Sequence, residues 1–124
     1  MILSVFDFDV TLFRSDGSWN TPVVERARRA YGRGYSVLMT GRPEFQRLEV
    51  TQTVMDKGIP FHRVITVGPT FTGLKKRAEI ERIIRAVQPS AVEIWDDKPD
   101  LLASYGRLVD SLGLDKRLHF VGAH

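Results

Sequence analysis

Five apolar runs rich in β-branched and aromatic residues, ILSVF, YSVLM, RVITV, AVEIW and LHFVG, alternate along the chain with stretches of helical pattern. No other feature narrows the fold as much. Near-continuous apolar strands need cover on both faces, and strand-helix-strand order favours parallel pairing. The expectation is therefore one Rossmann-like α/β domain over residues 1–124, a three-layer sandwich around a mostly parallel five-stranded sheet. A chain of 124 residues supplies one hydrophobic core and is too short for two ordinary domains.

Punctuation residues mark the helices. Thr21-Pro22 reads as an N-cap followed by proline at the first helical position, and Gly32 and Gly34 stop that helix. A second helix is expected from near Pro43 to Gly58, with Phe45, Leu48, Thr51 and Val54/Met55 on one side. A third, from about Gly73 to Val87, aligns Ile80, Ile83/Ile84 and Val87, and Pro89 closes it. The fourth follows Pro99 and carries Leu101/Leu102, Tyr105, Leu108/Val109 and Leu112.

In open α/β sheets ligands bind beyond the carboxyl ends of the strands, next to the point where strand order reverses. Those positions here hold Asp7, Asp9 and Thr11 after the first run, Thr40-Gly41-Arg42 after the second, and Asp96-Asp97 after the fourth. The third run leads through small polar residues to Lys75 and Lys76. An acidic pair after a core-like strand is a poor choice for stability alone, since charges taken out of water cost several kcal/mol each unless compensated. Three or more carboxylates meeting at one edge repel unless a cation joins them or some stay protonated. With oxygen ligands and no histidine or cysteine nearby, a hard ion fits, and Mg²⁺ fits better than zinc or calcium.

Blander readings stand beside these. Asp7 and Asp9 could cap a strand-terminating turn, Thr40 could N-cap the helix near Pro43, and either lysine could be a solvated member of the KKR run. Arg42 either grips substrate or pairs with Glu44. Trp95 reads as core, and His62, His119 and His124 are too scattered to form a site.

The order and spacing of these groups resemble the haloacid dehalogenase superfamily of aspartate-nucleophile phosphatases. DFDVTLF is similar to its first motif, VLMTGR to its second, Lys75 or Lys76 to its third and EIWDD to its fourth, so the resemblance spans essentially the whole chain. Two departures are Val10, where many members carry glycine, and Asp100, which lies one residue short of the commonest spacing for a second acidic group. The resemblance implies that Asp7 attacks phosphorus to form an aspartyl-phosphate. Asp9 would protonate the leaving oxygen, later activate water, and touch the metal through its backbone carbonyl. Asp97, with Asp96 as the less favoured candidate, would join Asp7 in holding Mg²⁺. Thr40, Gly41, Arg42 and a lysine would bind the substrate phosphate. Lys75 is preferred because the family's lysine begins the helix before the fourth strand.

Members of this superfamily usually insert a cap domain, but residues 12–20 leave room only for a short flap with Asp16-Gly17 at its tip, so a capless, open site is expected. A large substrate could then serve as its own lid. The chain carries 18 basic against 15 acidic residues, with arginines at 14, 42 and 47 near the expected mouth. The stretches TGRPEFQRLEV, GIPFHRVI and TFTGLKKRAEIERII are also similar to phosphatase domains of polynucleotide end repair, a resemblance that implies a 3′-phosphate on a nucleic-acid end as substrate and other repair enzymes as partners. A small nucleotide or sugar phosphate is the alternative substrate, and a catalytically silent nucleic-acid-binding module the alternative function. No apolar run approaches the roughly 20 residues that span a bilayer, and MILSVF lacks the layout of an export signal. Without cysteine there is no disulfide, thiolate metal site or cysteine nucleophile. A cytoplasmic location without membrane partners is the resulting expectation.

Overall fold

The computed structural model of the protein describes residues 1–122; His124 lies outside them. Strands β1 (Ile2–Phe6), β2 (Gly34–Thr40), β3 (Arg63–Thr66), β4 (Ala91–Asp96) and β5 (Asp115–Phe120) pair in the order β3-β2-β1-β4-β5. Every pairing is parallel. Helices α1 (Thr21–Arg33), α2 (Arg47–Asp56), α3 (Thr72–Val87) and α4 (Pro99–Ser111) connect them, and a 3₁₀ turn at Glu44–Gln46 precedes α2. The expected α/β sandwich is thus present, with the sheet wholly parallel.

Alternation along the strands divides the core in two. Leu3 and Val5 with Val37, Met39, Val92 and Ile94 pack against α3 and α4, where Ile80, Ile83, Leu102 and Tyr105 meet them. Phe6, Leu38 and Trp95 face the other way, onto Val24, Ala27, Val50 and Val54 of α1 and α2. Trp95 is core as expected, stacked on Phe6 with ring centroids 4.2 Å apart. The chain winds outward from β1 through β2 to β3, then returns across the sheet to β4 on the other side of β1. Strand order therefore reverses between β1 and β4, whose carboxyl ends are joined by Asp7 N–H donating to the Trp95 carbonyl at 3.0 Å.

Two local expectations change. Asn20, not Thr21, is the N-cap of α1, and its side chain makes no capping hydrogen bond. On α2 the buried residues are Val50 and Val54, whereas Phe45, at 83% exposure, and Leu48, at 80%, point to solvent. Apolar residues occupy both sides of this helix, so periodicity could not choose its inner face. Among the described residues, no helix is long and apolar enough to cross a membrane.

Candidate functional site

Asp7 continues β1 by one residue and is buried. One of its oxygens accepts from Lys76 Nζ at 2.8 Å and the other from the Thr11 hydroxyl at 3.1 Å. The hydroxyl reaches back because residues 8–13 form a tight turn, in which the Phe8 carbonyl accepts from the N–H groups of Leu12 and Phe13. Asp96 ends β4 beside it. Its Oδ2 lies 3.5 Å from Lys76 Nζ, and its Oδ1 accepts the Lys98 N–H at 3.0 Å. Asp97 completes the group. One carboxylate oxygen from each of Asp7, Asp96 and Asp97 lies within 4.8 Å of the others.

Lys76, not Lys75, is the lysine of this cluster, which corrects the preference drawn from the sequence. It projects from the first turns of α3 and is 5% exposed, while Lys75 is exposed and lines a separate surface depression with Glu79 and Arg82. Helical geometry explains the exchange. Lys76 is four residues before Ile80 and shares its inward stripe, whereas Lys75 is rotated about 100° away.

Burial would lower the Lys76 ammonium's pKa, but the Asp7 and Asp96 carboxylates outweigh it and hold the pKa above the usual value. The acidic partners move too. Burial, together with the Asp7 charge, raises Asp96. Burial, then hydrogen bonding to Asp7 and the charges of Asp7 and Asp96, pushes Asp97 up to about 7. One ammonium therefore leaves three carboxyl groups under-compensated. A divalent cation would remove that crowding, and an all-oxygen donor set suits a hard ion. Asp7, Asp96 and Asp97 are the residues that could hold it.

Asp9 stands apart. Its two carboxylate oxygens accept from Arg42 Nη2 at 2.8 Å and Nε at 3.0 Å, so its side chain is not one of the three clustered carboxylates. Arg42 also lies over the Phe8 ring, 5.0 Å from its centroid, and the hydrogen bonds to Asp9 raise its pKa. The pairing with Glu44 foreseen as one alternative for Arg42 is not made. Glu44 pairs instead with Arg47 and accepts from Thr66, and Arg42 does not line the cavity.

The cavity has a volume of about 300 Å³. Asp7, Asp9, Thr40, Lys76, Asp96 and Asp97 supply its polar wall, and Val10, Pro69 and Leu101 its apolar one. Thr40 is buried, with its hydroxyl accepting the Arg42 N–H at 3.3 Å. Gly41 allows the β2 loop to approach α3: a Cβ there would come within 2.8 Å of the Thr72 methyl group. Thr72, Pro69 and Lys98 also line the cavity and were not named as site residues from the sequence, and Leu101 was read only as part of the apolar stripe of α4. For Thr72 a signal existed, since it precedes Lys76 by one helical turn. Arg14 and Arg47 do not line the cavity, and Asp100 is exposed on the first turn of α4. His62 accepts the Ser36 N–H, and His119 pairs with Glu93, both away from the cavity.

Two lining segments carry backbone strain. Val10 has φ of 66° and Phe71, just before α3, has φ of 52° and ψ of 41°. Left-handed backbone costs a non-glycine residue roughly 1–2 kcal/mol. Among the described residues no cap domain covers the cavity. Residues 12–20 form the expected small flap, with Gly17 at φ of 85° in its turn and Phe13 and Trp19 packed against Phe8.

No protein-family model matches this sequence, and no curated protein is significantly similar to it. Among solved structures, pantothenate synthetase from Thermus thermophilus is similar in fold, with a TM-score of 0.50 and 12% sequence identity. The match covers 97% of this chain and 55% of that one, so the chain spans about half the length of its structural neighbour. At that identity the likeness concerns the Rossmann-like fold alone.

Proposed function

We propose that the protein is a Mg²⁺-dependent phosphomonoester hydrolase of the haloacid dehalogenase type, with Asp7 as nucleophile. The observation that carries the reading is the cluster at the strand-order reversal: three carboxylates within 4.8 Å of one another and a buried lysine 2.8 Å from Asp7. An anionic phosphate approaches a carboxylate only where positive charge offsets the repulsion. Mg²⁺ held by Asp7, Asp96 and Asp97 would supply part of that charge. The Lys76 ammonium would supply the rest and orient Asp7, and the Thr40 hydroxyl, which lines the same cavity, would donate to a phosphoryl oxygen.

The first half-reaction forms a bond from an Asp7 oxygen to phosphorus as the bond to the leaving oxygen breaks, and Asp9 gives that oxygen its proton. In the second, Asp9 takes a proton from water as the water attacks phosphorus, and the bond to Asp7 breaks to release inorganic phosphate. Because the ion-paired carboxylate has no proton to give, Asp9 must first yield at least one of its two contacts with Arg42 and take up a proton from solvent. The open cavity favours a large substrate that covers the site itself. A 3′-phosphorylated nucleic-acid end is accordingly the proposed substrate, with free nucleotides as its competitor.

Hydrolysis of p-nitrophenyl phosphate with Mg²⁺ tests the chemistry. Activity is expected to vanish with a chelator and in Asp7→Asn. A folded wild-type protein that stays inactive across several metals and substrates would sink the enzyme reading in favour of a binding module. A comparison of kcat/KM for a 3′-phosphorylated oligonucleotide and for nucleoside monophosphates then decides the substrate. A large advantage for the monophosphates removes the end-processing proposal.

A further inference from the structure

Val10 and Phe71 stand on backbone that disfavours them. Val10 lines the cavity immediately after Asp9, and Phe71 lies between the lining residues Pro69 and Thr72. A β-branched side chain and a bulky aromatic are poorly suited to positive φ, where glycine or asparagine would sit without strain. Four of the other such positions, Gly17, Gly58, Gly68 and Gly113, are glycines; the third non-glycine residue, Gln88, closes α3 as its C-cap away from the cavity, whereas Phe71 is the N-cap of that helix on the cavity side. Core packing does not account for the exceptions. Val10 belongs to neither apolar cluster, and Phe71 is 72% exposed. Strain retained beside a cavity, with the side chains making no structural use of it, is a mark of binding function.

We propose that Val10 and Phe71 form the contact surface for a planar apolar leaving group. The cavity then selects phosphate monoesters that carry an aromatic ring or nucleobase close to phosphorus over compact aliphatic ones. The proposal rests on the phosphatase reading and names the substrate class of the same site. Charged groups hold the phosphoryl end: Asp7, Lys76, Asp96 and Asp97 line the polar wall. Asp9 addresses the leaving oxygen, so the isopropyl group one residue later flanks whatever that oxygen carries. Pro69 and Leu101 extend the apolar wall. The exposed Phe71 ring offers a face on which any base can stack.

Phenylphosphonate and methylphosphonate differ only in the ring and cannot be hydrolysed at phosphorus, so their binding is free of the leaving-group acidity that confounds rates. Titration calorimetry with Mg²⁺ would compare the two on wild-type protein, Val10→Gly and Phe71→Asn. Both replacements suit left-handed backbone, so the variants should melt no lower than wild type. Wild type is expected to favour phenylphosphonate by about tenfold, the scale of one stacking contact. That ratio should fall toward one in each variant. Equal affinities in the wild type, or an undiminished ratio in either variant, overturn this inference and leave the phosphatase reading standing. Failure of the wild type to bind either phosphonate overturns both.

Discussion

Asp7 and Asp9 leave the same strand two residues apart and meet opposite circumstances. Asp7 turns to the α3/α4 side, where it and Lys76 are buried with Asp96. Asp9 turns to Arg42 and keeps 46% of its side chain in water. Each is an ion pair, yet they differ in kind. The buried pair was taken out of water together with extra negative charge, so its geometry is held by electrostatics that cannot relax. The half-exposed pair can open at little expense, as a group that must exchange a proton requires.

Substituting Lys76 would break this contrast most severely. Lys76→Met is expected to destabilise the metal-free protein by about 3–5 kcal/mol, because Asp7 and Asp96 lose their cation while remaining buried. Denaturant unfolding reads that loss directly. A change below about 1 kcal/mol would mean that the carboxyl groups simply take up protons, and the two regions would be alike.

The excess negative charge should appear as a pH dependence. Asp97 is raised from 3.8 to about 7 in the folded protein, so between those values the native state holds a proton that the unfolded chain has released. The stabilisation is complete below pH 3.8 and disappears as pH rises through about 7. With Asp97 partly exposed, solvent screening limits it to about 1 kcal/mol. Thermal melting in chelator should therefore fall over this window. Asp97→Asn should flatten the profile, and Mg²⁺ should restore stability most strongly at the alkaline end. A metal-free profile indifferent to Asp97 would remove the crowding argument.

The Arg42 pair should matter less. Arg42→Ala is expected to lower stability by less than about 1 kcal/mol, and high salt should erase much of the difference. A salt-insensitive loss as large as that of Lys76→Met would show that burial is not what separates the two sites. Smallest of all, Lys75→Met should stay within about 0.5 kcal/mol of wild type. A melt that places Lys75 above its neighbour would reverse the assignment of the cluster's lysine.

Most of the frame was readable from the chain itself. Strand-helix alternation and continuous apolar runs imply parallel pairing, and every charged group of the central cluster follows a strand or opens a helix. The lysine was legible too, had helical phase been weighed over helix position, because Lys76 falls on the Ile80 stripe. Other features were not local. Phe45 in the 3₁₀ turn and Leu48 on α2 look like core, but the sheet met Val50 and Val54. Arg42 was expected beside Glu44 or a substrate, and found Asp9, which is 33 residues away in the chain.

Sequence alone determined the layered architecture and the edge of the sheet that gathers acidic groups, since periodicity and strand ends are properties of short segments. Tertiary structure alone decided which lysine meets the carboxylates, which aspartate is left to an arginine, and which side chains are strained at the mouth. Those choices depend on distances between segments remote in the chain, and electrostatic and steric energies vary too steeply over a few ångströms for local pattern to settle them.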